Sequence, residues 1–278
     1  MKLSFNQATT LENSDLANDL ELCEQHGYDY IEIRTMDKLP EYLEQQSLEQ
    51  LSSYFQEHHI KPLALNALVY FNNRSEEDYQ QLLKEFKQML EYAKELQVPY
   101  IVVVPLVTKE KILKEDIKSS SVAVLQELAE LAEPYGVKLA VEFVGHPECT
   151  INTFEQAYDI VEHVNDPNVG LVLDCFHFHA MNSSMDTLKQ ADISKIFILH
   201  MDDTEDFPIG SLVDEDRVWP GHGAIDLDGI LSVLTEKGYD GAATVELFRP
   251  EYYEMPAEEV IKKAKETTMQ VISKYAKI

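Results

Sequence analysis

The sequence predicts an α/β protein built as a single (β/α)8 TIM barrel, and three observations carry that prediction. Eight short runs rich in β-branched, aliphatic or aromatic residues alternate with longer amphipathic stretches. The 278 residues divide among eight strand–helix units at about 35 residues each, the size of unit such a barrel uses. The first run is followed by Asn6-Gln7-Ala8-Thr9-Thr10 rather than a glycine-rich GxGxxG turn, which counts against a doubly wound open sheet.

The strand runs are residues 3–6, 30–34, 63–66, 100–104, 139–142, 170–174, 196–200 and 244–247. Between them lie helices. Residues 14–26 open on Ser14 as cap and close on Gly27. Residues 76–96 repeat Tyr79, Leu82, Leu83, Phe86, Met89, Leu90 and Ala93 at steps of three and four, the spacing of one buried helix face. Residues 122–132 and 153–164 share that spacing, and Thr153 followed by Gln156 matches a capping box. No Pro/Gly/Ser-rich linker or low-complexity tract interrupts the chain, so one domain over 1–278 is expected. The longest irregular segment, 201–223, holds two prolines, three glycines and an acidic run, and a loop of that length in a barrel is expected to serve function.

Composition narrows the chemistry. Lys and Arg number 23 against 50 Asp and Glu, a formal charge of −27. Affinity for nucleic acid rests on cations that neutralise phosphates, so a nucleic-acid substrate is disfavoured and a small molecule expected. The longest apolar runs, such as 101–104 and 196–199, fall far short of the roughly 20 residues that span a bilayer. The start, Met-Lys-Leu-Ser-Phe-Asn-Gln, carries no secretory pattern, and Cys23, Cys149 and Cys175 form no CxxC pair. A cytoplasmic protein with reduced thiols is the expectation, with no membrane partner. Homo-oligomer formation is compatible with the sequence and undetermined by it.

In a barrel the active site forms at the C-terminal ends of the strands. Strands five to eight finish with Glu142 in Leu-Ala-Val-Glu, Asp174 in Leu-Val-Leu-Asp, His200 in Phe-Ile-Leu-His and Glu246 in Thr-Val-Glu. Each alone reads equally well as a polar group paired with a local amide or lysine. Four in succession at one structural position point instead to a shared partner, because a buried unpaired carboxylate costs several kcal/mol. One divalent cation satisfies all four, and an imidazole with three carboxylates suits Mn2+, Mg2+, Co2+ or Zn2+.

His177, in Asp-Cys-Phe-His, and Arg217, before Trp219-Pro220-Gly221, fall on the same rim. Arg217 offers a fork of donors to a substrate oxygen, and His177 offers a donor to a hydroxyl or to a ligand carboxylate. The competing reading for Arg217 is a surface ion pair with Asp214 or Asp216. His179 and His222 read as loop residues, His26, His58, His59 and His163 as helix-surface residues, and Cys175 as a packing thiol.

Val-Glu at 141–142, Asp-x-x-His at 174–177, His200, Arg217, Pro-Gly-x-Gly-x-Ile-Asp at 220–226 and Val-Glu at 245–246 together resemble the xylose isomerase-like TIM-barrel superfamily, which includes sugar isomerases, ketose 3-epimerases and the endonuclease IV group. Within it the chain resembles, end to end, the inosose isomerases of bacterial myo-inositol catabolism. The resemblance implies metal ligands at Glu142, Asp174, His200 and Glu246. It implies interconversion of 2-keto-myo-inositol (scyllo-inosose) and 1-keto-D-chiro-inositol through an enediol or enediolate. That chemistry needs a base and an acid, for which Glu142 and Glu246 are the candidate pair, with the order between them open, and His177 and Arg217 are the candidates to orient the substrate. A ketose 3-epimerase or hydroxypyruvate-type isomerase would use the same metal site. Phosphodiester cleavage of the endonuclease IV kind would need a richer histidine set and a basic surface.

Overall fold

Eight parallel strands close into a barrel in sequence order: β1 (Lys2–Asn6), β2 (Tyr30–Arg34), β3 (Lys61–Val69), β4 (Tyr100–Val104), β5 (Lys138–Glu142), β6 (Val169–Asp174), β7 (Ile196–Met201) and β8 (Ala242–Val245). The computed structural model describes residues 1–275. Closure is made by β1 on β8, where Lys2 lies opposite Ala242 and Phe5 opposite Val245. One principal helix follows each strand: α1 (Leu16–His26), α2 (Leu48–Glu57), α3 (Glu76–Leu96), α4 (Lys114–Ala132), α5 (Phe154–Val164), α6 (Met185–Gln190), α7 (Leu227–Glu236) and α8 (Ala257–Ile272). The expected (β/α)8 barrel is therefore the observed one. No described helix is long and apolar enough to cross a membrane.

The alternation of side chains along a strand sorts the residues into two apolar layers. Inside the barrel, small or slender residues fill the lumen: Ala64, Val102, Ala140, Val172, Ile198 and Ala242. Their neighbours, including Ile101, Val103, Leu139, Val141, Leu171 and Leu173, face outward into the larger core beneath the helices. Two residues beyond Ala140, Val172 and Ile198, and so on the same inward face, stand Glu142, Asp174 and His200. The strand period thus aims these polar side chains inward at the top of the lumen.

Several boundaries differ from the sequence reading, each for a local reason. The cap of α1 is Asp15, whose Oδ1 accepts from the Asn18 amide at 2.8 Å, while Ser14 Oγ accepts from the Asn18 side chain. Gly27 ends α1 at φ 70°, a left-handed conformation that glycine adopts without penalty. Helix α4 starts at Lys114 rather than 122 because the serine run at 119–121 stays helical, with Ser121 Oγ donating back to the Ile117 carbonyl at 2.7 Å. Thr153 caps α5, but only half the capping box forms, since Gln156 Oε1 accepts from the Asn152 amide at 3.2 Å rather than from that of Thr153. Strand β8 stops at Val245, leaving Glu246 just beyond it.

The irregular segment 201–223 is partly ordered as a two-stranded antiparallel ribbon, Asp203–Thr204 against Arg217–Val218. Asp203 organises its return. Its carboxylate accepts from the backbone amides of Gly221 (3.1 Å), Gly223 (2.8 Å) and Ile225 (2.9 Å). Gly223 is required there because a Cβ would lie 2.2 Å from the Thr204 carbonyl oxygen. Arg217 is carried by this ribbon over the barrel mouth.

Candidate metal centre

Glu142, Asp174 and His200 arrive on the ends of β5, β6 and β7, with Asp174 and His200 directly opposite each other across neighbouring strands. Glu246 is brought in by different means. The Leu247 amide donates to Thr9 Oγ1 at 3.0 Å, and that hydroxyl donates to the Val245 carbonyl at 3.3 Å, so the residue between them is pinned beside the end of β1. One ligand atom from each of the four lies within 4.8 Å of all the others.

The imidazole of His200 is the centre of the group. Its Nδ1 lies 2.9 Å from Glu142 Oε1, 3.1 Å from Glu246 Oε2 and 3.6 Å from Asp174 Oδ2. Both His200 Nδ1 and Glu142 Oε1 are buried without a hydrogen-bond partner of acceptable geometry. Buried polar atoms are nearly always satisfied, so two orphans facing each other mark a place where a further atom binds. Burial disfavours a charged imidazole, yet the carboxylates of Glu246, Glu32 and Glu142 outweigh it and hold His200 well above its ordinary pKa. Burial pushes the Glu142 carboxyl up, and the charges of Glu246 and Asp174 add to this against the pull of His200. The field at this point calls for positive charge. An imidazole nitrogen and three carboxylate oxygens, converging without thiolate, fit a divalent cation.

Arg217 closes one side. It is completely buried, with its guanidinium 4.6 Å from the Phe176 ring centroid. Its Nη1 donates to Asp174 Oδ2 at 2.7 Å and also to Asp202, while Nη2 donates to Asp214 Oδ1 at 2.8 Å and lies 3.2 Å from His177 Nε2. The ion pair with Asp214 is formed, although with a buried guanidinium rather than at the surface. Asp174 is held well below the usual carboxylate range: burial alone would raise it, and Arg217 above all, with His177 and His200, outweighs that. Asp202 moves the opposite way, raised by burial and by the charge of Asp174 against the pull of Arg217.

His177 belongs to a short helix, Cys175–Ala180, capped by Asp174 Oδ1, which accepts from the His177 amide at 2.6 Å. Burial depresses its pKa, with the Arg217 charge in support and Asp174 opposing. A neutral ring that accepts from Arg217 at Nε2 carries its proton on Nδ1, and that atom has no partner. His177 also lines a cavity of about 290 Å3, together with Val107, Val144, His146, Phe176 and Asp214 among others. His179 and His222 stay out of the group, although His179 lies on the short helix rather than in a loop, and Cys175 is a fully buried thiol, as the sequence suggested.

Three buried residues at the site escaped the sequence reading: Glu32, Asn6 and Asp202. Glu32 lies 3.1 Å through Oε1 from His200 Nε2. Asn6 donates to Glu246 Oε1 at 2.7 Å. The signal for Glu32 is a carboxylate between Ile31 and Ile33 on a strand, which faces the lumen from the middle of β2 rather than from a strand end.

A closed parallel barrel that gathers a buried Glu-Asp-His-Glu group at the C-terminal ends of its strands defines the metal-binding class of TIM barrels. The chain belongs to the xylose isomerase-like TIM-barrel family, whose pattern matches residues 20–270. It is 69% identical to the inosose isomerase of Halalkalibacterium halodurans over 275 residues, covering 99% of this chain and 98% of that one. The inosose isomerase of Bacillus subtilis is likewise 69% identical over 275 residues, covering 99% of both chains. A crystal structure of an IOLI protein with a bound zinc atom superposes with a TM-score of 0.99 at 68% identity, each chain covered completely.

Proposed function

We propose that this chain is a cytoplasmic inosose isomerase that interconverts 2-keto-myo-inositol and 1-keto-D-chiro-inositol, using one divalent cation, zinc in the first instance, held by Glu142, Asp174, His200 and Glu246. The observation that carries the reading is the convergence of four ligand atoms within 4.8 Å of one another, in a chain alike to inosose isomerases from end to end. Three buried, unpaired cysteines accord with a reducing compartment.

Moving a carbonyl between adjacent ring carbons requires removing a proton from the carbon that bears the neighbouring hydroxyl and returning one to the former carbonyl carbon. What a bound divalent cation supplies is Lewis acidity toward the ketone and stabilisation of enediolate charge, worth several kcal/mol. The protons fall to Glu142 and Glu246. Asp174 and His200 are wholly buried, whereas Glu142 and Glu246 keep 5% and 4% exposure, so of the four they are the pair with access to the substrate side. A positioned base or acid of this kind contributes about 10²–10⁴-fold. The unpartnered Nδ1–H of His177 is suited to a substrate hydroxyl, and Arg217 orients the His177 imidazole through Nη2 while balancing the carboxylate charge.

Direct assay against inososes, ketohexoses and abasic DNA tests the assignment. Turnover of scyllo-inosose above all others is expected; turnover of a ketohexose with none of inosose would overturn the assignment in favour of a 3-epimerase.

A further inference from the structure

Glu32 sits at the middle of β2, completely buried, and faces the lumen on the opposite side of His200 from the three carboxylates. Its surroundings are unusually specific. His200 Nε2 lies 3.1 Å from Oε1 and 3.3 Å from Oε2. Oε2 also accepts from Asn66 Nδ2 at 3.3 Å and Asn6 Nδ2 at 3.4 Å. No lysine or arginine pairs with this carboxylate among the described residues. A buried carboxylate without a cationic side chain costs several kcal/mol unless something else satisfies it. Here the satisfaction comes from an imidazole N–H and two amides.

An imidazole can present only one lone pair, and which nitrogen presents it is set by the proton on the other. A carboxylate at Nε2 requires the proton there and so leaves the Nδ1 lone pair directed at Glu142, Asp174 and Glu246. Asn6 extends the same control to a second residue of the quartet. Its Oδ1 accepts from the Ala8 amide at 2.9 Å, which turns its Nδ2 toward the two glutamates. That Nδ2 then holds Glu246 Oε1 at 2.7 Å, leaving Oε2 as the atom 3.1 Å from His200 Nδ1. The chain His200–Glu32–Asn6–Glu246 therefore joins two of the four ligands through fully buried polar contacts, from strands at opposite ends of the sequence.

We propose that Glu32 is a positioning residue for the metal centre: through the hydrogen bond from His200 Nε2, and through Asn6 to Glu246, it sets which atoms of these two residues face the cation and thereby sets metal affinity. The inference rests on the reading of Glu142, Asp174, His200 and Glu246 as metal ligands. It assigns Glu32 no contact with substrate. Partners of this kind are worth about 10–100-fold in metal affinity or activity.

The test is made on the full chain with Zn2+ and Co2+ alone as probes. Wild type should bind one ion, and His200→Ala should lose it; if wild type binds none, the ligand reading itself fails. With that established, Glu32→Ala should weaken Zn2+ about 10–100-fold in competition with a chelator. Glu32→Gln, which keeps an acceptor for Nε2–H without the charge and closely preserves the packing, should fall between. The visible spectrum of the Co2+ protein should change in both. Nitrogen-15 spectra of the metal-loaded wild type should find His200 protonated at Nε2. Folded Glu32→Gln and Glu32→Ala proteins with wild-type affinity and unchanged Co2+ spectra would overturn the proposal, as would a His200 protonated at Nδ1. Should Glu32→Ala fail to fold, Glu32→Gln alone decides, since an unaltered affinity and spectrum there refute it.

Discussion

Glu246 shows how much work one side chain is given by its surroundings. One oxygen is held by Asn6, the other points toward His200 Nδ1, and the backbone on either side is fastened to Thr9. Replacing it by glutamine preserves the size but removes both the negative charge and the ability to accept a proton. At saturating metal, Glu246→Gln is expected to lower kcat by about 10²–10⁴ with a much smaller change in KM, read from steady-state inosose kinetics. Near-normal kcat would remove Glu246 from the acid/base pair. Arg217 illustrates a different limit. Its residue type pointed to a donor for carboxylate or hydroxyl, and the structure gives it several carboxylate partners at once in a fully buried position.

At the scale of elements, α1 is joined to the turn after β1 by a buried carboxylate that has no part in the site. Asp19 accepts from Gln7 Nε2 and Thr10 Oγ1, both at 2.9 Å. Burial raises its pKa from 3.8 to about 6, against those hydrogen bonds and the charge of Lys38. A carboxyl that holds its proton more tightly when folded binds more protons in the native state between these two values. Its contribution is therefore favourable at low pH and is lost as pH rises through about 6. The shift corresponds to roughly 3 kcal/mol. Asp19→Asn is expected to remove this part of the pH dependence, so that the stability difference between mutant and wild type moves in the mutant's favour from pH 4 to pH 7. Denaturant unfolding at several pH values measures it, and parallel pH profiles would contradict it.

The element boundaries carry a related lesson. Helix α3 was legible because seven apolar residues kept helical spacing over a long stretch, and six of them are buried as that spacing requires. The start of α4 was not, because serines that would break a helix elsewhere are tolerated when their hydroxyls bond back to the preceding turn. The ribbon within 201–223 was also hidden. Its order comes from Asp203 gathering amides about 20 residues away, which no local pattern announces.

For the whole molecule, the metal is the component whose removal should matter most. Chelation is expected to abolish inosose turnover, and Zn2+, Co2+ or Mn2+ to restore it; full turnover in protein verified as metal-free would refute the scheme. The folded state should also gain stability from the ion, by about 2.7 kcal/mol at a free concentration 100 times Kd, seen as a concentration-dependent rise in melting temperature. The acidic composition finds its place at this scale. Most of the 50 acids are not at the site, but Glu32, Glu142, Asp174, Asp202 and Glu246 are buried around His200 and the Arg217 guanidinium.

The sequence by itself determined the barrel and the convergence of Glu142, Asp174 and His200, because both are written in short periods, whereas Glu246 is set by the tertiary contact of its backbone with Thr9. Alternation of strand and helix specifies the units, and the two-residue period along each strand makes the last inward residue of β5, β6 and β7 a neighbour of the others whatever the details of packing. Tertiary structure alone decided what stands behind the quartet. Asn6 and Glu246 are 240 residues apart in sequence and His200 and Glu32 are separated by 168, and they meet only because the barrel closes β1 on β8 and brings the lumen-facing side chains to one axis. A period fixes which way a side chain points; only closure of the sheet decides which distant side chain it finds there.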